Sequence, residues 1–188
     1  MDWVIIALGV LALLFIIFMI GYGVYISNGS NGTIKIQSKD IPHGAKTLVL
    51  SCMDYRFIND TIKYLNQHRE GNFDYFVLAG ASLGYNESKE GDVKDWTKTF
   101  EEHVDIAIQS HGITEIIVVD HMDCAYYKMI YGDAVDTAEK EERKHDFNLH
   151  KFVRLMKKGK YSELEYKLLL AYMDDQGVIE YKEINDAV

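Results

Sequence analysis

Two short motifs in this sequence combine residues that bind metal ions with residues that hold protons. The first, CMDYR, places Cys52, Asp54 and Arg56 at every second position, and the second, HMDC, places His121 three residues before Cys124. Two thiolates and an imidazole form a ligand set that zinc accepts, with a fourth position for water or a carboxylate. The motifs therefore predict a zinc site of Cys52, His121 and Cys124, with Asp54 within reach as a fourth ligand.

Other roles for the two cysteines explain less of the pattern. A phosphatase loop needs an arginine six residues after its nucleophile, and Ile58 stands there. A cysteine at the end of a strand often acts as a small buried apolar side chain. A disulfide between Cys52 and Cys124 is compatible with an oxidising compartment. Both of these readings leave the aspartate, the arginine and the histidine of the motifs without a role.

Three short apolar runs predict the strands that position these motifs. They are continuous rather than alternating, which is typical of strands covered on both faces, and they are TLVLS (47–51), DYFVLAG (74–80) and EIIVVD (115–120). Apolar residues recur at helical spacing between the second and third runs, and Gly112 ends that helix. Strands that alternate with helices predict a parallel α/β sheet, whose ligands bind at the carboxyl ends of the strands.

The chain after the second motif predicts a further helix and a strand pair. The helix is expected over residues 136–158, and residues 166–184 contain two β-like runs around an Asp-Asp-Gln-Gly turn. A length of 188 residues with 48% hydrophobic content supports one domain core. The formal net charge of -9 argues against nucleic acid as a partner.

The N-terminal segment predicts a membrane anchor. No charged residue occurs from Val4 to Ile26, and a helix of that length, at about 1.5 Å per residue, reaches roughly 35 Å, enough to cross a bilayer. The predicted division is a transmembrane anchor over 1–26, a flexible tether over 27–33 and the zinc domain over 34–188. The predicted protein is thus a single-pass membrane protein.

The charges beside this segment predict which side the domain occupies. No basic residue precedes the span, whereas Lys35, Lys39 and Lys46 follow it, and the positive-inside rule then places the domain on the cytoplasmic side. Four N-x-Ser/Thr sequons argue for the opposite orientation, because they could be glycosylated if the domain faced a lumen. The charge bias favours the cytoplasmic orientation.

The two motifs resemble those of the β-class carbonic anhydrases, which are Cys-x-Asp-x-Arg and His-x-x-Cys. The resemblance extends through EEHVDIAIQSHGITEIIVVDH and AYMDDQGVIEYKEI, and it covers most of residues 45–184. It implies an α/β fold with a parallel sheet flanked by helices and an antiparallel edge strand. It also implies Zn²⁺ as cofactor, carbon dioxide and bicarbonate as substrates, and a homodimer with active sites at the subunit interface. The sequence departs from the family at Asp120 and Ala125, where glycine is usual, and in VLAGASLG, which contains no basic residue.

The chemistry of such a site depends on Asp54 and Arg56, the predicted catalytic residues. A zinc ion lowers the pKa of a bound water from about 15.7 towards roughly 7, and the hydroxide attacks carbon dioxide. Asp54 can either bind zinc and close the site, or pair with Arg56 and leave the position to water. Two alternatives remain open: hydrolysis of carbonyl sulfide or carbon disulfide at the same site, and a membrane-anchored zinc scaffold without turnover.

Overall fold

The structure, a computed structural model, describes residues 3, 13–19, 44–68, 72–90 and 95–185, without the side chains of residues 88–90. The chain divides into two compact units, residues 1–40 and 41–188. All the strands and helices named below belong to the second unit.

In the described part of the chain, five strands form one mixed sheet in the order β2-β1-β3-β4-β5. Strands β1 to β4 run parallel to one another, and β5 pairs antiparallel with β4 at one edge. Their bounds are β1 (Thr47–Ser51), β2 (Phe73–Val77), β3 (Glu115–His121), β4 (Glu165–Met173) and β5 (Ile179–Ile184). The parallel sheet with an antiparallel edge strand agrees with the prediction.

Helices connect the parallel strands and cover both faces of the sheet. They are α1 (Tyr55–His68), α2 (Ser82–Glu90), α3 (Trp96–His111), α4 (Ala125–Tyr131) and α5 (Ala138–Lys158), with a 3₁₀ turn at Gly132–Val135. Helix α3 ends as predicted, because Gly112 adopts a left-handed conformation (φ 72°) and its N–H closes on the Ile108 carbonyl. Helices α1, α2 and α4 are absent from the sequence prediction.

The central strands are buried on both faces, which explains their unbroken apolar sequence. Every residue of β1 and β3 is buried. Successive residues of β1 alternate between two cores, since Leu48 and Leu50 join the larger cluster and Val49 joins the smaller one. The larger cluster contains Phe100 of α3 and Phe152 of α5. The two cores hold β1 and β3 side by side, so the residues that follow them emerge together.

The predicted transmembrane helix over residues 4–26 is wrong. Within the described ranges, no helix is long and apolar enough to cross a membrane. The predicted localisation as a single-pass membrane protein with a cytoplasmic domain is corrected on the same ground. The rest of the predicted span, the tether over 27–33 and the domain start near Ile34 lie outside the described residues.

Candidate metal centre

Three candidate metal ligands meet at the carboxyl edge of the sheet. Cys52 directly follows β1, and His121 is the last residue of the adjacent parallel strand β3. The ligand atoms of these two residues and of Cys124 all lie within 4.8 Å of one another, and all three residues are buried. The structure thus brings together the residues that the sequence predicted as zinc ligands.

A tight turn after β3 returns Cys124 towards His121. Asp123 adopts a left-handed conformation (φ 60°), which aspartate tolerates better than most side chains. The Met122 N–H donates to the carbonyl of Ala171 on β4 at 2.9 Å, and this bond anchors the turn to the sheet. Cys124 then becomes the N-cap residue of α4. The His-x-x-Cys spacing is therefore the length of one anchored turn.

The orientation of His121 fits a metal ion. Its Nδ1 donates to the carbonyl of Met122 at 2.9 Å, so the lone pair of the neutral ring lies on Nε2. That Nε2 is buried and has no hydrogen-bond partner among the described residues. The ring of Phe57 stacks on the imidazole with centroids 4.3 Å apart. A buried ring nitrogen held in place without a partner is what a metal ligand requires, so these residues fit zinc.

The pKa values of the two cysteine thiols are shifted in opposite directions. A hydrogen bond with Cys124 lowers the pKa of the Cys52 thiol to about 4 against the effect of burial, with help from His121 and from the Gly80 N–H. The Gly80 N–H lies 3.3 Å from Cys52 Sγ. The same contact with Cys52 raises the pKa of Cys124. Burial opposes the charged form of His121, but the nearby Cys52 raises its pKa overall. Thiolate is the form of cysteine that binds metals, so the lowered pKa of Cys52 favours binding of a cation.

Arg56 holds both carboxylate oxygens of Asp54. Its Nε lies 3.0 and 3.2 Å from the two oxygens, its Nη2 lies 2.7 Å from Oδ2, and its backbone N–H donates to Oδ1 at 3.0 Å. Arg56 is itself held by Asp123, through Nη1 to the carboxylate at 2.7 Å and Nη2 to the carbonyl at 3.0 Å. The side-chain hydrogen bond from Arg56 lowers the pKa of Asp54. Asp54 Oδ2 remains 3.9 Å from His121 Nε2.

A cavity of about 420 Å³ opens in front of these residues. Its wall is largely apolar, and Arg56 is the one cation that lines it among the described residues. Besides Cys52, Asp54, Arg56 and Cys124, the lining consists of Met53, Tyr55, Ala79, Gly80, Ala125, Tyr126 and Met129. The cavity gives a small neutral molecule access to the candidate centre.

Three buried polar residues behind the centre were missed by the sequence reasoning. Asp120, Glu141 and His145 are all buried, and Glu141 accepts the Cys124 N–H at 3.0 Å. Two signals were available: Asp120 stands where the resembled family usually has glycine, and Glu141 and His145 lie four residues apart on one helix face. The roles of the five predicted site residues in metal binding and catalysis stay predictions.

The mixed α/β sheet, with a Cys-His-Cys cluster that could hold a metal ion at its carboxyl edge, is the arrangement expected for the β-carbonic-anhydrase class. Residues 43–180 match the family model described as "Putative carbonic anhydrase". The chain belongs to this family, and the resemblance drawn from the sequence is confirmed.

Two curated relatives come from Rickettsia, and both are described as uncharacterized proteins. The protein of Rickettsia conorii is 37% identical over 138 residues, which are 72% of this chain and 71% of the relative. The protein of Rickettsia bellii is 38% identical over 138 residues, which are 72% of this chain and 80% of the relative.

The fold is similar to that of solved carbonic anhydrases. The β-carbonic anhydrase CafA of Aspergillus fumigatus superposes with a TM-score of 0.52 at 12% identity, over 78% of this chain and 77% of that chain. The carbonic anhydrase of Streptococcus mutans gives a TM-score of 0.49 at 18% identity, over 91% of this chain and 97% of that chain. At these identities the likeness to CafA concerns the fold alone.

Proposed function

We propose that this chain is a zinc-dependent enzyme that reversibly hydrates carbon dioxide to bicarbonate. The observation that carries the proposal is the clamp of Arg56 on Asp54. Both carboxylate oxygens accept hydrogen bonds from the arginine, so Asp54 is occupied and the fourth position beside Cys52, His121 and Cys124 is left to water. An open position of this kind is typical of catalytic rather than structural zinc sites.

The residues around the centre have separate tasks in this reaction. Zinc bound there would supply a hydroxide at neutral pH, because it lowers the pKa of water towards roughly 7. Asp54 is kept ionised by Arg56 and is placed to accept a hydrogen bond from the attacking water, which orients it. The apolar wall of the cavity, with Ala79 and Tyr126, suits a small molecule without charge.

Stopped-flow carbon dioxide hydration by the zinc-loaded full chain tests the proposal. We expect a rate above that of buffer, a large loss in Asp54→Ala, and an unchanged rate in Arg154→Ala, a matched control that removes an exposed arginine of α5. A wild-type chain that binds one zinc but hydrates no faster than buffer would contradict the proposal. That result would support a zinc scaffold without turnover.

The apolar cavity favours a second candidate reaction, hydrolysis of carbonyl sulfide or carbon disulfide. These molecules are linear and neutral like carbon dioxide, and their greater apolar character suits walls formed by Met53 and Met129. Release of hydrogen sulfide from either substrate by the zinc-loaded chain, at a catalytic efficiency above that for carbon dioxide, would establish this reaction instead.

We also propose that the protein is a homodimer whose subunits meet near the cavity mouth. Three large apolar side chains of the cavity are strongly exposed: Met53 is 63% exposed, Tyr55 83% and Met129 66%. An exposed cluster of this kind is typical of an interaction surface. Light scattering should therefore give a dimer for the full chain and a monomer for Met129→Glu, whereas Phe147→Glu, a change at an exposed aromatic residue outside the cavity lining, should leave the dimer. A monomeric wild-type chain at high concentration would refute the dimer.

A further inference from the structure

Asp120, the residue before His121, has a buried carboxylate that accepts several hydrogen bonds. Asp120 Oδ1 accepts the backbone N–H of Ser82 at 3.1 Å, and Oδ2 accepts the Ser82 hydroxyl at 2.6 Å and the Tyr127 hydroxyl at 2.7 Å. Its Oδ2 also accepts Nδ1–H of His145 at 3.0 Å. Asp120 is 1% exposed. Four hydrogen bonds therefore hold this carboxylate and fix its orientation.

His145 links this carboxylate to a second one. It is fully buried, and its ring stacks on Tyr127 with centroids 3.7 Å apart. Since Nδ1 faces Asp120, Nε2 points towards Glu141, whose Oε1 lies 3.7 Å away. That distance is longer than the length of a hydrogen bond but within the range of an ion pair. Burial opposes the charged imidazole, yet the two carboxylates raise the pKa of His145 overall. The ring therefore lies between two carboxylates.

Glu141 carries the connection to the second ligand motif. Its Oε1 accepts the backbone N–H of Cys124 at 3.0 Å. Cys124 is the N-cap residue of α4, so this N–H belongs to a helix end, where no intrahelical carbonyl is available to it. We call these three residues, Asp120, His145 and Glu141, the carboxylate brace. The brace begins next to His121 in the chain and ends with the hydrogen bond from the Cys124 N–H. It spans strand β3 and helix α5 and holds both ends of the His-x-x-Cys turn.

We infer that the carboxylate brace positions His121 and Cys124 for zinc, with Glu141 setting the place of the Cys124 backbone and Asp120 setting the end of β3. The inference rests on the metal site of the proposed function. None of the three residues touches the metal position, so they are positioning residues. Residues that orient metal ligands in this way change metal affinity by about 10–100-fold when they are replaced.

Zinc affinity of the full chain, measured by competition with a chromophoric chelator, tests the inference. Glu141→Met keeps the length of the side chain but removes the acceptor, and we expect zinc to bind about 10–100-fold more weakly. Glu141→Gln keeps an oxygen acceptor for the Cys124 N–H and should recover most of that loss. Glu142→Met is the matched control, because Glu142 is the next residue of α5 and pairs with Lys182 at the surface. It should bind zinc as the wild type does.

A second readout separates positioning from general stability. Cobalt bound by two thiolates has a charge-transfer absorption that depends on ligand geometry, and we expect this band to shift in Glu141→Met but not in Glu142→Met. A variant that merely loosens the fold lowers the melting temperature of the metal-free protein without changing the band. If Glu141→Met does not fold, Ser82→Ala takes its place, since it removes one donor to Asp120; we expect zinc affinity about tenfold below that of the wild type.

The results distinguish this inference from the proposed function. A wild-type chain that binds no zinc overturns both. Zinc binding by the wild type together with wild-type affinity in Glu141→Met, or in Ser82→Ala where it replaces that variant, overturns the brace alone. An equal loss in Glu142→Met, or a Glu141→Gln variant as weak as Glu141→Met, also overturns the assigned role of Glu141.

Discussion

Arg56→Ala removes the guanidinium that holds Asp54, so this variant tests the roles proposed for both residues. Three contacts of 2.7–3.2 Å to Asp54 are lost, along with two to Asp123. The pair with Asp54 is only partly exposed, at 29% and 16% of the two side chains, whereas Asp123 is 58% exposed and contributes little. Hydrogen bonds to charged groups contribute about 1.5–3 kcal/mol. We therefore expect a loss of about 2 kcal/mol and a fall of about 4–8 °C in melting temperature.

The pH dependence of that loss identifies its source. The pKa of Asp54 is lowered by Arg56 in the folded protein. Its contribution is therefore complete above the unfolded pKa of about 3.9 and disappears as the pH falls through the lowered folded value. Urea unfolding of the metal-free proteins should show a constant difference between wild type and Arg56→Ala from about pH 5 to pH 8. The difference should narrow below about pH 4.

Activity should fall while zinc remains bound. Without Arg56, Asp54 is free to move onto the metal as a fourth ligand, which closes the position for water. We expect one zinc per chain and a hydration rate at least about 100-fold below that of the wild type. Arg56→Lys keeps the positive charge but loses the planar, bidentate contact. It should therefore restore more of the melting temperature than of the hydration rate. Wild-type hydration rates in Arg56→Ala, with zinc bound, would refute the assigned roles of both residues.

Other predictions concern the ligands and the backbone around them. Cys52→Ser and Cys124→Ser should each lower zinc content and melting temperature together, because metal binding by thiolates is coupled to folding; full zinc occupancy in both variants would show that the ligand set is wrong. Gly80→Ala should cost about 3 kcal/mol, since Gly80 has φ 68° and an added Cβ would lie 2.6 Å from Tyr126 Cδ1. Gly112→Ala is its matched control, with φ 72° and no atom within 4 Å of the added Cβ. Urea unfolding of both variants measures the difference, and equal losses would contradict the close approach of Tyr126.

The long buried elements could be predicted from local pattern because they are regular and apolar. Strands β1 and β3 are unbroken apolar runs, and helix α3 has clear periodicity with Gly112 at its end. Helix α1 was missed because it starts inside the first metal motif and buries only Phe57, Thr61 and Leu65, so its apolar face is narrow. Helix α2 is short and contains Gly84, a residue with low helix propensity. The predicted membrane helix is wrong for a different reason: among the residues that the structure describes, no helix is both long and apolar enough to cross a membrane.

The sequence by itself determined which residues could form the centre. Cys52 and His121 each stand at the end of an apolar run, and carboxyl ends of parallel strands share one edge of a sheet. Only the tertiary structure decided that Arg56 is held against Asp54. The residue that keeps Arg56 in place is Asp123, which lies 67 positions away in the chain. The tertiary structure also decided that Asp120 is a buried acceptor of four hydrogen bonds. Its donors come from α2, α4 and α5, and helices are brought together by packing over the sheet, which no local pattern encodes.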